Sequence, residues 1–468
     1  MPAEEMLGGA TKPEDLSMDE LKKTPAAMGK AATAHTAKIS ASLWWNGIAS
    51  HLLWTYTIGE AILKPFGLDS KNSYMAPDEA TVARIRKENP QLKTETFLVP
   101  VAGRPKTFVM SGTILAPTGY KADAQNVVSL QMSPDYSGSP FFPDNGPVDY
   151  SSQSGRNNQE LKGQPIGGGV VESFAWGGSA PKNDEADAEA MAKGATVKMT
   201  APLEPLTLGK AVGVSSAGPA SALTQVGPHG TLNVAGLIPR ASIWSIAKNK
   251  VGKLLGFSDT STYNLGDGGN LDNSGVLAML QRKAQRVIWL INTGVELPKT
   301  SDVCGMKVLK DEVADNMDSQ ITAIFGYIHK SSLGEFLTQN QAFALDDLPK
   351  VLCSLAKLHE SGKPAVTLET LEVQKNNWWG IAGGNKVDVL FVYNSPCQNF
   401  IDKLPLETRD ELDRGRWGLF KFFPHYLPVV QNLWDATALT NEQVNLLAAH
   451  AEYMTRNTRD LFGRAVGV

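Results

Sequence analysis

Apolar residues along this chain alternate between stretches with helical spacing and short continuous blocks bounded by glycine, proline and asparagine. The longest stretch, Ser42 to Leu63, is apolar enough to raise the question of a membrane span, but Asn46, His51 and Glu60 would be expensive in hydrocarbon. A buried core helix is the first expectation there and a lipid-contacting helix the second. Thr107 to Met110 and Asn126 to Met132 predict strands separated by Pro/Gly turns. Ser274 to Lys283 has helical spacing with Val276, Leu277, Met279 and Leu280 inward, and Arg286 to Thr293 follows as a buried strand. Asp318 to Leu337 and Leu345 to His359 read as helices, Val387 to Asn394 as a buried strand, and Asn441 to Tyr453 as a helix capped by Thr440. Between these lie two irregular stretches, Ser133 to Gln164 and Ser179 to Thr200, the second a solvated loop carrying Asp184, Glu185, Asp187 and Glu189. The alternation predicts an α/β fold, with a polar N-terminal segment over 1–40 and one continuous domain over 41–468.

Composition narrows the class of function. With 468 residues, 42% of them hydrophobic, the chain can bury a sizeable core. Its net charge of -4 supplies no basic field for nucleic acid, and lysines and arginines form no stripe with interleaved aromatics. Cys304, Cys353 and Cys397 are far apart and odd in number, which predicts neither a disulfide framework nor a metal knuckle and favours a reducing compartment. The seven histidines form no ligand pair at helical spacing, so neither a metal nor another cofactor is expected. No basic start followed by an apolar run opens the sequence, and the expected location is cytoplasmic, with peripheral membrane contact as an option.

The candidate chemistry centres on Leu265 to Gly275. Gly266, Gly268 and Gly269 surround one carboxylate, Asp267, and Asn270 follows before the next helix. Glycine permits a positive φ or a close backbone approach, so the carboxylate is held in a narrow range of positions. Asp-Gly is also an ordinary turn, and on these residues alone that reading stands beside the catalytic one.

Together with Arg104-Pro105, the glycine-rich Gly167 to Gly178 and Phe423 to Tyr426, this loop resembles the catalytic domain of the cytosolic phospholipase A2 and fungal lysophospholipase family, within the patatin-like acyl hydrolases. The resemblance spans roughly Leu43 to the C-terminus and implies a layered domain with a central mixed sheet, helices on its faces and long irregular insertions. It also implies an ester hydrolase acting on phospholipid or lysophospholipid, with Asp267 as general base of a Ser-Asp dyad. A serine hydroxyl becomes a nucleophile when such a base accepts its proton, and glycine-loop amides stabilise the oxyanion. Gly168, Gly169, Glu172 and Trp176 are candidates for the substrate pocket, though a satisfied Glu and a core Trp explain the last two equally well.

The nucleophile is the missing piece. The chain contains no Gly-x-Ser-x-Gly match, and the family's elbow would precede the first recognisable helix. Either a segment upstream carries it or the chain is a homologue that binds lipid without hydrolysing it. A patatin-like alternative places the nucleophile at Ser215 or Ser216, in Gly213 to Gly218, although Ala217 stands where the elbow wants glycine. Tyr136 to Pro140 is weaker. His425 could shuttle a proton but is more simply structural, and the aromatic pairs Trp44-Trp45, Trp378-Trp379 and Phe422-Phe423 could rim a lipid entry or belong to the core.

Overall fold

In the computed structural model the described residues are all but 1–2, 10, 106, 141–146, 153–159, 182–189, 191–192, 194–195, 203, 219–237, 249–253, 331–333, 427–437 and 468. Asp184, Glu185, Asp187 and Glu189 therefore lie outside the described residues. The fold is mixed α/β and divides into two compact units, one comprising Ser40–Asn273 with Trp378–Gly380, the other Met1–Ile39, Ser274–Asn377 and Ile381–Val468.

The first unit holds the Asp267 loop. The apolar stretch expected as one helix is two, α1 (Thr36–Trp45) and α2 (Ser50–Ile58), followed by a wider turn over Gly59–Leu63. The break falls at Gly47, whose φ of 81° no helix accommodates. Among the described residues no helix is long and apolar enough to cross a membrane. Six strands follow: β1 (Met110–Pro117), β2 (Val128–Met132), β3 (Tyr136–Ser139), β4 (Gly169–Glu172), β5 (Arg240–Ile243) and β6 (Ser261–Asp267). They form one sheet in the order β4-β3-β2-β1-β6-β5, every neighbouring pair antiparallel. The larger sheet is thus not the mixed one expected. β2 lies where its hydrophobic block predicts it, whereas β1 starts at Met110, where the expected strand Thr107 to Met110 ends, and part of the excursion from Ser133 is ordered as β3.

Strand alternation sorts this sheet into two faces. Ile114, Ala116, Val128, Leu130, Met132, Tyr263 and Leu265 pack together on one of them, and α3 (Leu208–Ser215) covers it with Ala211 and Val214. Ser137, Ser139, Gly169 and Val171 from β3 and β4 line the same pocket as Ser242 and Ile243 from β5. Strands at opposite ends of the order meet across one space, so the sheet is curled with its apolar face inward.

The second unit contains the helix α4 (Val276–Gln281), the strand β7 (Arg286–Ile291), the long helix α5 (Leu348–Glu360) and strands β8 (Val366–Glu372) and β9 (Lys386–Tyr393). This smaller sheet, in the order β7-β9-β8, is the mixed one: β7 runs parallel to β9 and β8 antiparallel to it. β9 is buried on both faces. Phe391 meets Phe325 and Trp289, while Leu390 and Val392 pack with Leu461 and Phe462 of the terminal helix α7 (Arg459–Val466). Thr440 caps α6 (Asn441–Asn457) through a reciprocal pair of bonds with Gln443, as the sequence predicts. The expected helix from Asp318 is shorter, Ser319–Ile324, with a tight turn at Gly334–Leu337. The polar N-terminal segment is not separate from a core, since Leu16 and Leu21 are buried against Phe400, Leu404 and Leu446.

Two of the three cysteines correct the reading of the sequence. Cys304 and Cys353 form a disulfide with Cα atoms 4.9 Å apart, although 49 positions separate them. Distance along the chain is a poor guide here because α5 turns back on the segment that carries Cys304. The cysteines then give no ground for a reducing compartment, since disulfides persist in oxidising ones.

His450 on α6 is fully buried between the rings of Phe400 and Phe423, at centroid distances of 5.2 Å, and neither ring nitrogen has a partner among the described residues. Burial pulls its pKa down to about 4, with His425 adding to the effect. The fold therefore keeps His450 neutral, while the unfolded chain takes up a proton below about 6.5. Stability from this group is complete above that value and drains away as pH falls toward 4, by about 3 kcal/mol in all. Urea unfolding across this window should show that loss for the wild type and a flatter profile for His450→Leu.

Candidate active site

Asp267 is the last residue of β6 and precedes a tight turn over Gly268–Asn270. Its place in the sheet is fixed on two sides. It pairs with Gly112 on β1, and the Thr113 hydroxyl donates to its carbonyl oxygen at 2.6 Å. Its side chain is held as firmly: the Gly269 amide donates to Oδ1 at 2.7 Å and the Gly218 amide to Oδ2 at 3.0 Å. Gly218 comes just after α3, so the carboxylate joins the end of that helix to the end of β6.

Desolvation raises the Asp267 pKa above its ordinary 3.8, and the two amide bonds oppose that rise only in part. Each carboxylate oxygen accepts one amide proton, and an ionised carboxylate has about four acceptor sites. It can therefore also accept a proton from an incoming hydroxyl. A rigid, partly desolvated carboxylate with its basicity raised is chemically suited to general-base work.

The glycines around it serve different ends. Gly268 does not need a positive φ, one of the two grounds the sequence offers for glycine here. It needs space: a Cβ there would lie 2.5 Å from the Ser111 Cβ and 2.6 Å from the Ser111 carbonyl oxygen. Gly266 faces the Asn270 amide, which would stand 3.0 Å from an added Cβ, so Asn270 folds back over the strand end.

The pocket candidates separate by strand alternation. Gly169 and Trp176 line the pocket inside the curled sheet, together with Ser137, Ser139, Trp244 and Ile246. Gly168 is in the turn ahead of β4, with a φ of 85°, and its neighbours Gly167 and Gly169 reach the pocket in its place. Glu172 lies apart from this pocket and lines a different one with Arg84, Tyr136 and Phe174. With Gly169 and Val171 inward, it points to the opposite side of β4, where it pairs with Arg84. Ser137 and Ser139 belong to the Tyr136 to Pro140 segment that the sequence rates as weaker, and their i, i+2 spacing in a short strand is what brings both to the pocket. The Ser139 hydroxyl is buried without a hydrogen-bond partner among the described residues.

Neither alternative serine is engaged with Asp267. Ser215 ends α3, and the Ser216 hydroxyl donates to the Val212 carbonyl at 2.8 Å. A nucleophile elbow joins a strand to a helix N-terminus, whereas these serines occupy the C-terminal end, where the helix dipole disfavours a developing alkoxide. Ser139 belongs to a strand three places from β6 in the sheet order. His425 donates from Nδ1 to the Thr293 carbonyl within the second unit, which fits the structural reading. Trp379 is buried against Trp378, and Phe423 stacks on Phe400, whereas Trp44, Trp45 and Phe422 are exposed. Among the described residues no group of three His, Cys, Asp or Glu side chains could hold a metal ion.

No family model, curated protein or solved structure matches the chain.

The packing at Gly268 gives a direct expectation. Gly268→Ala should cost about 2–4 kcal/mol in denaturant unfolding, and Gly268→Val more, because the contact is with backbone that cannot yield. An unchanged midpoint for the alanine variant would contradict the close approach of β1 to this turn.

Proposed function

We propose that this chain belongs to the phospholipase A2 and lysophospholipase type of acyl-ester hydrolase, with Asp267 as the general base of a Ser-Asp dyad. The observation that carries the reading is the Asp267 carboxylate: desolvated, raised in pKa and fixed by two backbone amides at the mouth of a strand-to-turn junction. Support comes also from the inward apolar face of the curled sheet, which ends in Asp267 on β6 and contains a pocket walled by Trp176, Trp244, Ile243 and Ile246. The same reading takes that sheet with its helices as a patatin-like layered domain working at a membrane surface.

In this mechanism Asp267 accepts the proton of a serine hydroxyl as the oxygen attacks the ester carbonyl, and the alcohol of the lipid departs with that proton. Asp267 then takes a proton from water as the water oxygen attacks the acyl-enzyme, and hands it to the departing serine oxygen, which releases fatty acid and restores both groups. The serine is not among the described neighbours of Asp267. A second reading rests on the lack of a Gly-x-Ser-x-Gly match in the sequence: a homologue that holds lipid in the pocket and leaves it intact.

Hydrolysis decides between them. The protein, with any residues its gene places upstream of Met1, should release fatty acid from lysophospholipid or phospholipid vesicles, and Asp267→Asn should lower kcat by at least about 10³-fold. The variant should still fold, at a cost of about 1–3 kcal/mol, because one of the two amides then faces an NH₂ group. Binding without release would favour the second reading.

The pH profile provides an independent check. Only ionised Asp267 can act as base, so kcat/KM should fall as pH drops through a value above 3.8. The fold favours the protonated form of this group. Its stabilising contribution is therefore full below 3.8 and lost as pH rises through the raised value, so acid removes activity at Asp267 without loosening the fold there.

A further inference from the structure

The loop between α1 and α2 exposes two indoles that no packing in the fold explains. Trp44 is 61% and Trp45 82% exposed, in the last turn of α1. That turn is locked. The Ile48 amide donates to the Leu43 carbonyl and the Gly47 amide to that of Trp44, a closed C-terminal motif that requires the left-handed φ of 81° at Gly47. The Asn46 side chain adds a bond to the Ser42 carbonyl. The indoles therefore project from a fixed helical tip, not from a loose end.

The tip is also neutral in a chain with many charges. Ala41, Ser42, Asn46, Gly47, Ala49 and Ser50 are its other exposed residues. No carboxylate occurs between Glu20 and Glu60, and α1 itself carries the exposed Lys38, in a protein whose net charge is -4.

We infer that this tip docks on an anionic lipid surface through Trp44 and Trp45. Indole combines a large apolar body with one polar N–H and suits the boundary between headgroups and acyl chains. The lack of carboxylates along this stretch removes a source of repulsion from an anionic surface, and Lys38, exposed on α1 itself, adds attraction. The area also fits. Two side chains of this size offer on the order of 300 Å² for burial, enough for shallow insertion and well short of the roughly 1,200 Å² that stable protein interfaces bury. The inference does not depend on Asp267 being a base.

Flotation with sonicated vesicles of phosphatidylcholine and phosphatidylserine tests it on the full chain. The wild type and Asp267→Asn should partition onto them equally, and Trp44→Ala/Trp45→Ala should partition at least about 10-fold more weakly while keeping its circular dichroism. Raising salt should weaken wild-type binding. Equal partition of the double variant would overturn the inference, as would partition onto pure phosphatidylcholine as strong as onto the anionic mixture. So would a wild type that ignores vesicles but self-associates in sedimentation velocity through the same tryptophans, which would make the tip a contact between copies of this chain.

Discussion

A single half-buried carboxylate organises the first unit. Asp267 accepts amide protons from Gly269, two residues along, and from Gly218, 49 residues back, so one side chain closes a local turn and ties a helix end to a strand end. Taking a charge out of water is costly, and here two backbone amides that cannot swing away offset that cost in part. Much around it follows from that requirement. The Thr113 hydroxyl anchors the Asp267 peptide, Ser111 presses on Gly268, and Gly112 stands opposite in the sheet, so three consecutive residues of β1 form the platform on which the carboxylate is held.

The same arrangement sets opposing pulls on the carboxylate. The amide bonds that fix Asp267 lower its pKa, and desolvation raises it; desolvation prevails. A turn that only needed a capped end would be served as well by an exposed aspartate. The desolvation is what general-base chemistry uses, and the apolar face that ends in Asp267 on β6 suits a substrate with an acyl chain.

Much of this was legible in the sequence. The Asp-Gly-Gly turn, β2, the inward face of α4, the strand at β9 and the Thr440 cap all follow from local periodicity and turn chemistry, which neighbouring residues alone determine. What was hidden depends on contacts distant in the chain. Gly218 looked like part of a serine decoy and is a donor to Asp267; Glu172 looked like a pocket residue and faces outward because β4 begins at Gly169 and sets the alternation. The Cys304–Cys353 bond could not be read from spacing, and the curl of the six-stranded sheet appears only once β4 and β5 are seen to share a pocket. Gly47 was in plain view, yet the apolar character of its neighbours concealed that it divides one expected helix into two.

The central claim is that Asp267 activates a serine. Labelling with a fluorophosphonate reads that activation directly, because the probe reacts with a serine whose proton is being withdrawn and spares ordinary hydroxyls. The account predicts that the protein is labelled at one serine other than Ser215 and Ser216, and that Asp267→Asn removes the label while the fold persists. Labelling that survives Asp267→Asn, or its absence under conditions that label a control hydrolase, would contradict it.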